Sequence, residues 1–185
     1  MKKLIASALV AVFALVNVQT QAQNLAKSDK KELKAERKEA KKEKRKLEGE
    51  EVSTLAKDHF YSDFGQIDNA KWERGPQFDE VTFTKDGTAL TAYYDYSNNL
   101  VGTTSNKKWA DLPAKAQKEI EKQYKGYATG AIILFDDNEA NNTNMYLFGN
   151  QFEGADHYFV TVNKDQKEII LMVKTDGEVS YFKEI

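Results

Sequence analysis

VTFTKDGTALTAYYDYSNNLVGTT, residues 81–104, lays out two strand-like runs and the start of a third, joined by short turns. Val81 and Phe83 alternate with Thr82 and Thr84, the period of two that sends successive side chains to opposite faces of a strand. Asp86-Gly87 offers the positive φ that a tight hairpin demands, and Ala89 to Tyr96 reads as the returning strand. Asn98-Asn99 then gives a second turn before Leu100-Val101. Strands joined by such short turns are antiparallel neighbours. Tyr93 and Tyr94, adjacent in one strand, must face opposite sides of the sheet.

Upstream, Val52, Leu55, Ala56, His59 and Phe60 make the i, i+3, i+4, i+7, i+8 stripe of a helix with one buried face, and Gly65 stands as its stop. Lys71-Trp72-Glu73-Arg74 follows as a strand. Downstream, WADLPAKAQKEIEKQYKGY (109–127) predicts a second helix. Pro113 suits its first turn, Leu112, Ala116, Ile120 and Tyr124 form its apolar stripe, and Gly126 breaks it. Strand-like runs then occupy 131–135, 145–148, 157–162 and 169–173, with an Asp176-Gly177 turn leading to 179–182. Helices mixed with consecutive antiparallel strands predict an α+β fold, two helices packed on one face of the sheet. Laying Phe83-Thr84-Lys85-Asp86 over Val162-Asn163-Lys164-Asp165 carries Tyr93 onto Met172 and Leu100 onto Val179. This suggests two repeats, about 52–106 and 107–185, with an insertion near 138–156.

Three stretches carry a family resemblance: AKDHFYSDFGQIDNAKWER (56–74), the hairpin stretch quoted above, and the second-helix stretch with its Leu112-Pro113 pair. On these, residues 52–185 resemble the PepSY-like secreted proteins of Bacteroidetes, whose fold is similar to that of the beta-lactamase inhibitory protein. The resemblance implies an antiparallel sheet with helices on one side, in tandem repeats, and a periplasmic or surface location. Every motif in it is structural, so it implies neither a catalytic residue nor inhibition of a beta-lactamase.

The N-terminus has its own composition. Lys2 and Lys3 precede thirteen nearly unbroken apolar positions, 4–16, and a small-residue exit at Thr20-Gln21-Ala22. This pattern predicts a signal peptide over 1–22, and the apolar run is shorter than the roughly 20 residues a membrane-spanning helix needs. No membrane span is expected after cleavage, and the protein is expected in the periplasm or outside the cell. Residues 27–51 hold eleven Lys and Arg against eight acids with almost no apolar residue. Such a segment has no face to bury, and residues 23–51 read as a charged helical stalk or linker. Its carboxylates dilute the potential that nucleic acid would need, so no nucleic-acid partner is expected. The remaining 134 residues carry fourteen basic against twenty-one acidic side chains, a net charge of −7.

Chemistry is sparsely specified. Without cysteine there is no disulfide, thiol nucleophile or cysteine-bound metal. The two histidines fall in unpromising places: His59 on an apolar helical stripe, and His157 at a strand start beside Asp156, as a surface ion pair or a lone metal ligand. No nucleophile-elbow, zinc-protease, phosphate-loop or dinucleotide pattern occurs, and an enzyme is not expected. Asp136, Asp137 and Glu139, followed by Asn141 and Asn142, form the densest run of oxygen ligands, a candidate calcium loop that also reads as a solvated turn. Aromatics are the other signal. Tyr93, Asp95, Trp109, Phe148 and Phe152 are the candidate binding residues, on the premise that the sheet face away from the helices is open. The alternative is that those aromatics are cross-strand pairs on an amphipathic face. Two function classes follow: a secreted, non-enzymatic module binding a protein, peptide or envelope component, and a calcium-binding or calcium-regulated periplasmic protein.

Overall fold

The computed structural model describes residues 51–185. The expected signal peptide lies outside the described residues, as does all of the expected stalk but Glu51. Helix α1 spans Thr54–Phe64. Ser53 caps it, its Oγ accepting the Leu55 N–H at 3.2 Å, and Gly65 ends it at φ 81° with its N–H on the Tyr61 carbonyl. Strands β1 (Lys71–Arg74), β2 (Asp79–Lys85), β3 (Thr88–Tyr94) and β4 (Leu100–Asn106) follow. A single 3₁₀ turn, Trp109–Asp111, leads to α2, Ala114–Gln123. Pro113 stands just before this helix, rather than inside its first turn. The rest of the chain forms β5 (Ala128–Asp137), β6 (Met145–Leu147), β7 (Asn150–Phe152), β8 (His157–Lys164), β9 (Lys167–Lys174) and β10 (Val179–Glu184).

Eight strands form one antiparallel sheet in the order β1-β2-β3-β4-β5-β8-β9-β10, and β6 and β7 pair separately. The β2–β3 turn is the two-residue loop that Asp-Gly predicts: Lys85 pairs with Thr88, and Asp86 and Gly87 sit at φ 50° and 77°.

Register fixes which side chains share a face. Phe83, Leu90, Ser105, Leu134, Tyr158, Val173 and Val179 are successive cross-strand partners, one row running from β2 to β10. Phe83 and Leu90 belong to the cluster built on Ala56 and Phe60 of α1. At the other end, Tyr158, Val173 and Val179 belong to the cluster built on Ala116 and Ile120 of α2. Both helices therefore cover the same face, as the α+β reading expected. Burial of each such aliphatic or aromatic side chain contributes about 1.5–3 kcal/mol.

The opposite face departs from expectation. It is not an open aromatic platform but holds a second core of Phe78, Tyr93, Val101, Phe135, Met145, Phe152, Phe159 and Ile170. Its cover is the β6–β7 hairpin, supplied by the stretch that the sequence marked as an insertion. Leu147 pairs with Asn150, and Phe148 and Gly149 make the turn at φ 51° and 79°. Asn-Gly or Asp-Gly is the usual signal for such a turn; Phe-Gly is not. Phe148 is held there by its ring on Phe159, 5.9 Å between centroids, and by Lys183, whose Nζ donates to the Phe148 carbonyl at 2.5 Å.

Candidate functional site

The structure distributes the five candidate binding residues among different roles. Tyr93 is buried, its hydroxyl 3.2 Å from Thr104 Oγ1. Burial, the largest cause, raises its pKa. Phe152 is 6% exposed and stacked among Phe135, Phe159 and Phe182. Phe148 is the half-buried turn residue already described. Asp95 engages both carboxylate oxygens in hydrogen bonds within the chain. Its Oδ1 takes the N–H groups of Ser97 and Asn99, and its Oδ2 takes Asn141 Nδ2 and Thr143 Oγ1. It ties the β3–β4 turn to the asparagine-rich loop. Beyond the hairpin, the outward sides of β2, β3 and β4 present the cross-strand row Thr82, Thr91 and Thr104, with the first two hydroxyls 3.1 Å apart. The premise of an exposed aromatic sheet face is thereby corrected for Tyr93 and Phe152, because the hairpin supplies the cover that a sheet alone lacks.

Trp109, unlike buried Tyr93 and Phe152, borders an open cleft. About 310 Å³ opens beside the C-terminal end of α2, edged by Trp109, Tyr124 and Tyr127, with Glu121 at its side and Ile120 and Val162 among its walls. The local chain explains the arrangement. Helix α2 stops at Gln123, Gly126 takes φ 83°, and the Tyr127 N–H returns to the Tyr124 carbonyl at 3.0 Å. That turn holds the two tyrosine rings edge to face, 5.6 Å apart at 85°. Burial, helped by Tyr127 and Tyr181, raises the Tyr124 pKa. Lys164 Nζ lies 5.6 Å from the Tyr127 ring centroid. In sequence Tyr124 reads as part of the core stripe, and Tyr127 as one of the surplus aromatics without being marked as a site residue. The available signal was an aromatic on each side of the helix-stopping Gly126.

A second depression, about 400 Å³, is acidic. Asp137, Glu139, Glu153 and Asp156 line it, with Lys174 and His157. Asp136 is not among them. Register places Asp136 in the row with Val81, Ala92 and Thr103, on the helix face. Asp137 falls instead in the row with Glu80, Tyr93 and Gly102, on the other. Consecutive strand residues cannot share a face, so Asp136, Asp137 and Glu139 do not form one ligand set. Among the described residues, no three His, Asp or Glu side chains converge on a point that could hold a metal ion. Burial and then the Asp156 charge raise the pKa of Asp136. The same two causes, in the same order, raise that of Asp137, with Glu139 and Asp136 adding to the effect. Asp137 Oδ1 is buried without a hydrogen bond, while its backbone N–H donates to Asp156 Oδ1 at 2.8 Å.

The histidines do other work. His157, read as a surface ion pair or metal ligand, is buried; its Nδ1 is 2.7 Å from the Ala155 carbonyl and its ring is 5.8 Å from that of Phe152. His59 is half-buried, Nδ1 at 2.5 Å from the Asn98 carbonyl, and borders a third, amide-rich depression with Asp63, Asn138 and Asn142.

No protein-family model and no curated protein matches this chain. Solved structures do. A BLIP-like protein from Bacteroides fragilis NCTC 9343 superposes with a TM-score of 0.56 at 16% identity, over 73% of this chain and 87% of that one. A DUF2874 family protein from Bacteroides uniformis ATCC 8492 gives 0.58 at 10% identity, over 73% and 89%. A candidate periplasmic protein from Bacteroides eggerthii DSM 20697 gives 0.57 at 9% identity, over 73% and 88%. At these identities the likeness is one of fold, and the fold is BLIP-like. Among the described residues, no helix is long and apolar enough to cross a membrane.

Proposed function

We propose that this protein is a periplasmic or secreted, non-enzymatic binding module of the PepSY-like kind that recognises a protein, peptide or envelope component. One observation carries the reading: Trp109, Tyr124 and Tyr127, partly buried against the core under α2, together edge an open cleft. Partly exposed Trp and Tyr anchor interfaces at low entropic cost. The location is supported by the signal-like N-terminus and by the periplasmic character suggested for one structural neighbour. The reading of two repeats is supported by matched positions. Tyr93 and Met172 both pack against the second core, and Leu100 and Val179 both pack under the helices.

The test follows the Trp109 indole N–H resonance, assigned with Trp109→Phe, as the protein is titrated with muropeptides, lipopolysaccharide core oligosaccharide and a set of unstructured peptides. A saturable shift lost in Tyr124→Ala is the expected result. Saturable binding that leaves Trp109 unmoved and survives Tyr124→Ala overturns this cleft as the site.

The second reading, a calcium-responsive protein, is favoured by the orphaned Asp137 Oδ1 in the acidic depression. Its ligands would be Asp137 with Glu139, Glu153 or Asp156, without Asp136.

A further inference from the structure

Resting on the binding-module reading, we infer that the cleft at the end of α2 receives the ammonium group of a lysine side chain presented by a partner protein or peptide. Four observations point to that occupant. First, the cleft is edged by Trp and Tyr rings, and the π face of such a ring attracts a cation most strongly where water is partly excluded. Second, the protein's own Lys164, bordering a separate depression, places its ammonium 5.6 Å from the Tyr127 centroid, so this ring accepts a primary ammonium, although that charge also opposes a second cation in the cleft. Third, the cleft lies at the C-terminal end of α2, where the last carbonyls carry partial negative charge, and Glu121 adds a carboxylate to its lining. Fourth, residues 52–185 carry a net charge of −7, which draws basic partners and repels anionic ones.

Size and polarity agree. A volume of about 310 Å³ suits one long side chain rather than a folded surface. Ile120 and Val162 are buried walls, so a four-carbon stem would lie against the partly buried rings of Trp109, Tyr124 and Tyr127, with its charged head near Glu121. Lys122, Lys125 and Lys164 are nearby and exposed, where water and salt screen them. A neutral sugar or an acidic peptide would gain nothing from the charge and the helix end.

The experiment compares Nα-acetyl-lysine methylamide with Nα-acetyl-norleucine methylamide, the same stem without the ammonium, by NMR titration of the whole protein. The expected result is a saturable shift of the Trp109 indole and of the Tyr124 and Tyr127 amides with the lysine compound, at about fivefold or more higher affinity than the norleucine compound. Tyr127→Leu, which keeps the cleft apolar, is expected to bring the ratio close to one. Glu121→Gln is expected to weaken only the lysine compound. Preserved amide dispersion in each variant separates lost binding from lost fold. Equal affinity for the two compounds overturns the cationic occupant and leaves an apolar binding cleft standing. Failure of both to shift any cleft resonance overturns the cleft as well.

Discussion

Phe152 meets Phe135 edge-on, ring centroids 5.2 Å apart and planes at 89°, and through this contact the inserted hairpin closes over the strand it departs from. Phe135 belongs to β5, and the hairpin follows β5 in the chain. The return therefore needs only a short loop, within which Asn138 and Asn141 donate to the Leu100 carbonyl at 2.8 and 2.9 Å. Phe152 also touches Phe159, Phe182 and His157, so it is the hairpin's main anchor. Phe152→Ala is expected to cost about 3–5 kcal/mol, the usual loss for a buried aromatic. Urea unfolding measures the loss. A cost below about 1 kcal/mol would mean that the hairpin rests on the sheet without specific packing.

Gly102 lies where Phe135 of the second core presses on the backbone of β4. A Cβ there would stand 2.6 Å from the Phe135 ring and 2.5 Å from the Asp136 carbonyl oxygen. Neither can move cheaply, because Phe135 is fully buried and the carbonyl belongs to the paired strand. Gly102→Ala is therefore expected to destabilise by more than the 1 kcal/mol or so typical of a point substitution. Thermal unfolding of the variant checks this. A melting temperature equal to that of the parent would mean that β4 and β5 separate more easily than their register suggests.

The legible and illegible parts of this fold divide along one physical line. Local signals were sufficient where a single element decided its own fate: Gly65 stopping α1, Asp86-Gly87 closing β2 onto β3, the Leu112 to Tyr124 stripe facing α2 inward. Periodicity also separated Tyr93 from Tyr94. It could not say that the far side of the sheet would be covered, because the cover comes from residues 145–152, about 50 positions beyond Tyr93, on strands of three residues each. Phe148-Gly149 carries no recognised turn signature and is stabilised by tertiary contacts that no window of sequence contains. The same long-range covering moved the binding reading from Phe152 to the cleft at Trp109. Adjacent acids likewise look like one cluster in sequence, whereas β5 separates Asp136 from Asp137.

The pH dependence of stability follows from that separation. Asp137 in the folded protein holds its proton more tightly than in the unfolded chain, because burial and the charges of Asp156, Glu139 and Asp136 oppose its ionisation. A raised folded pKa means that the ionised carboxylate lowers stability above that pKa. The penalty is relieved as pH falls through the folded pKa and vanishes below the unfolded value, about 3.9. Asp137→Asn removes the ionisable group. It is expected to stabilise the protein at pH 7 by less than about 1 kcal/mol, since the site is open to solvent on one side. The gain should shrink on acidification. Urea midpoints at pH 7 and pH 4 measure it, and a gain that grows toward acid would mean that the Asp137 carboxylate is held ionised by a partner.

Calcium offers the sharpest separation of the two functional readings. Ligand bound only to the native state raises stability by RT ln(1 + [L]/Kd), about 2.7 kcal/mol at a hundredfold excess over Kd. Calcium favours six to eight oxygens, while the acidic depression has Asp136 turned to the other face and no three convergent acids or histidines among the described residues. Chelator-treated protein is accordingly expected to melt at the same temperature in millimolar calcium as in millimolar magnesium. Nonspecific screening of Asp137, Glu139 and Asp156 would raise both equally, since it depends on charge and not on ion size. A rise specific to calcium and abolished by Asp137→Asn would instead put the orphaned Oδ1 to use as a ligand, and would move the calcium reading ahead of the aromatic cleft.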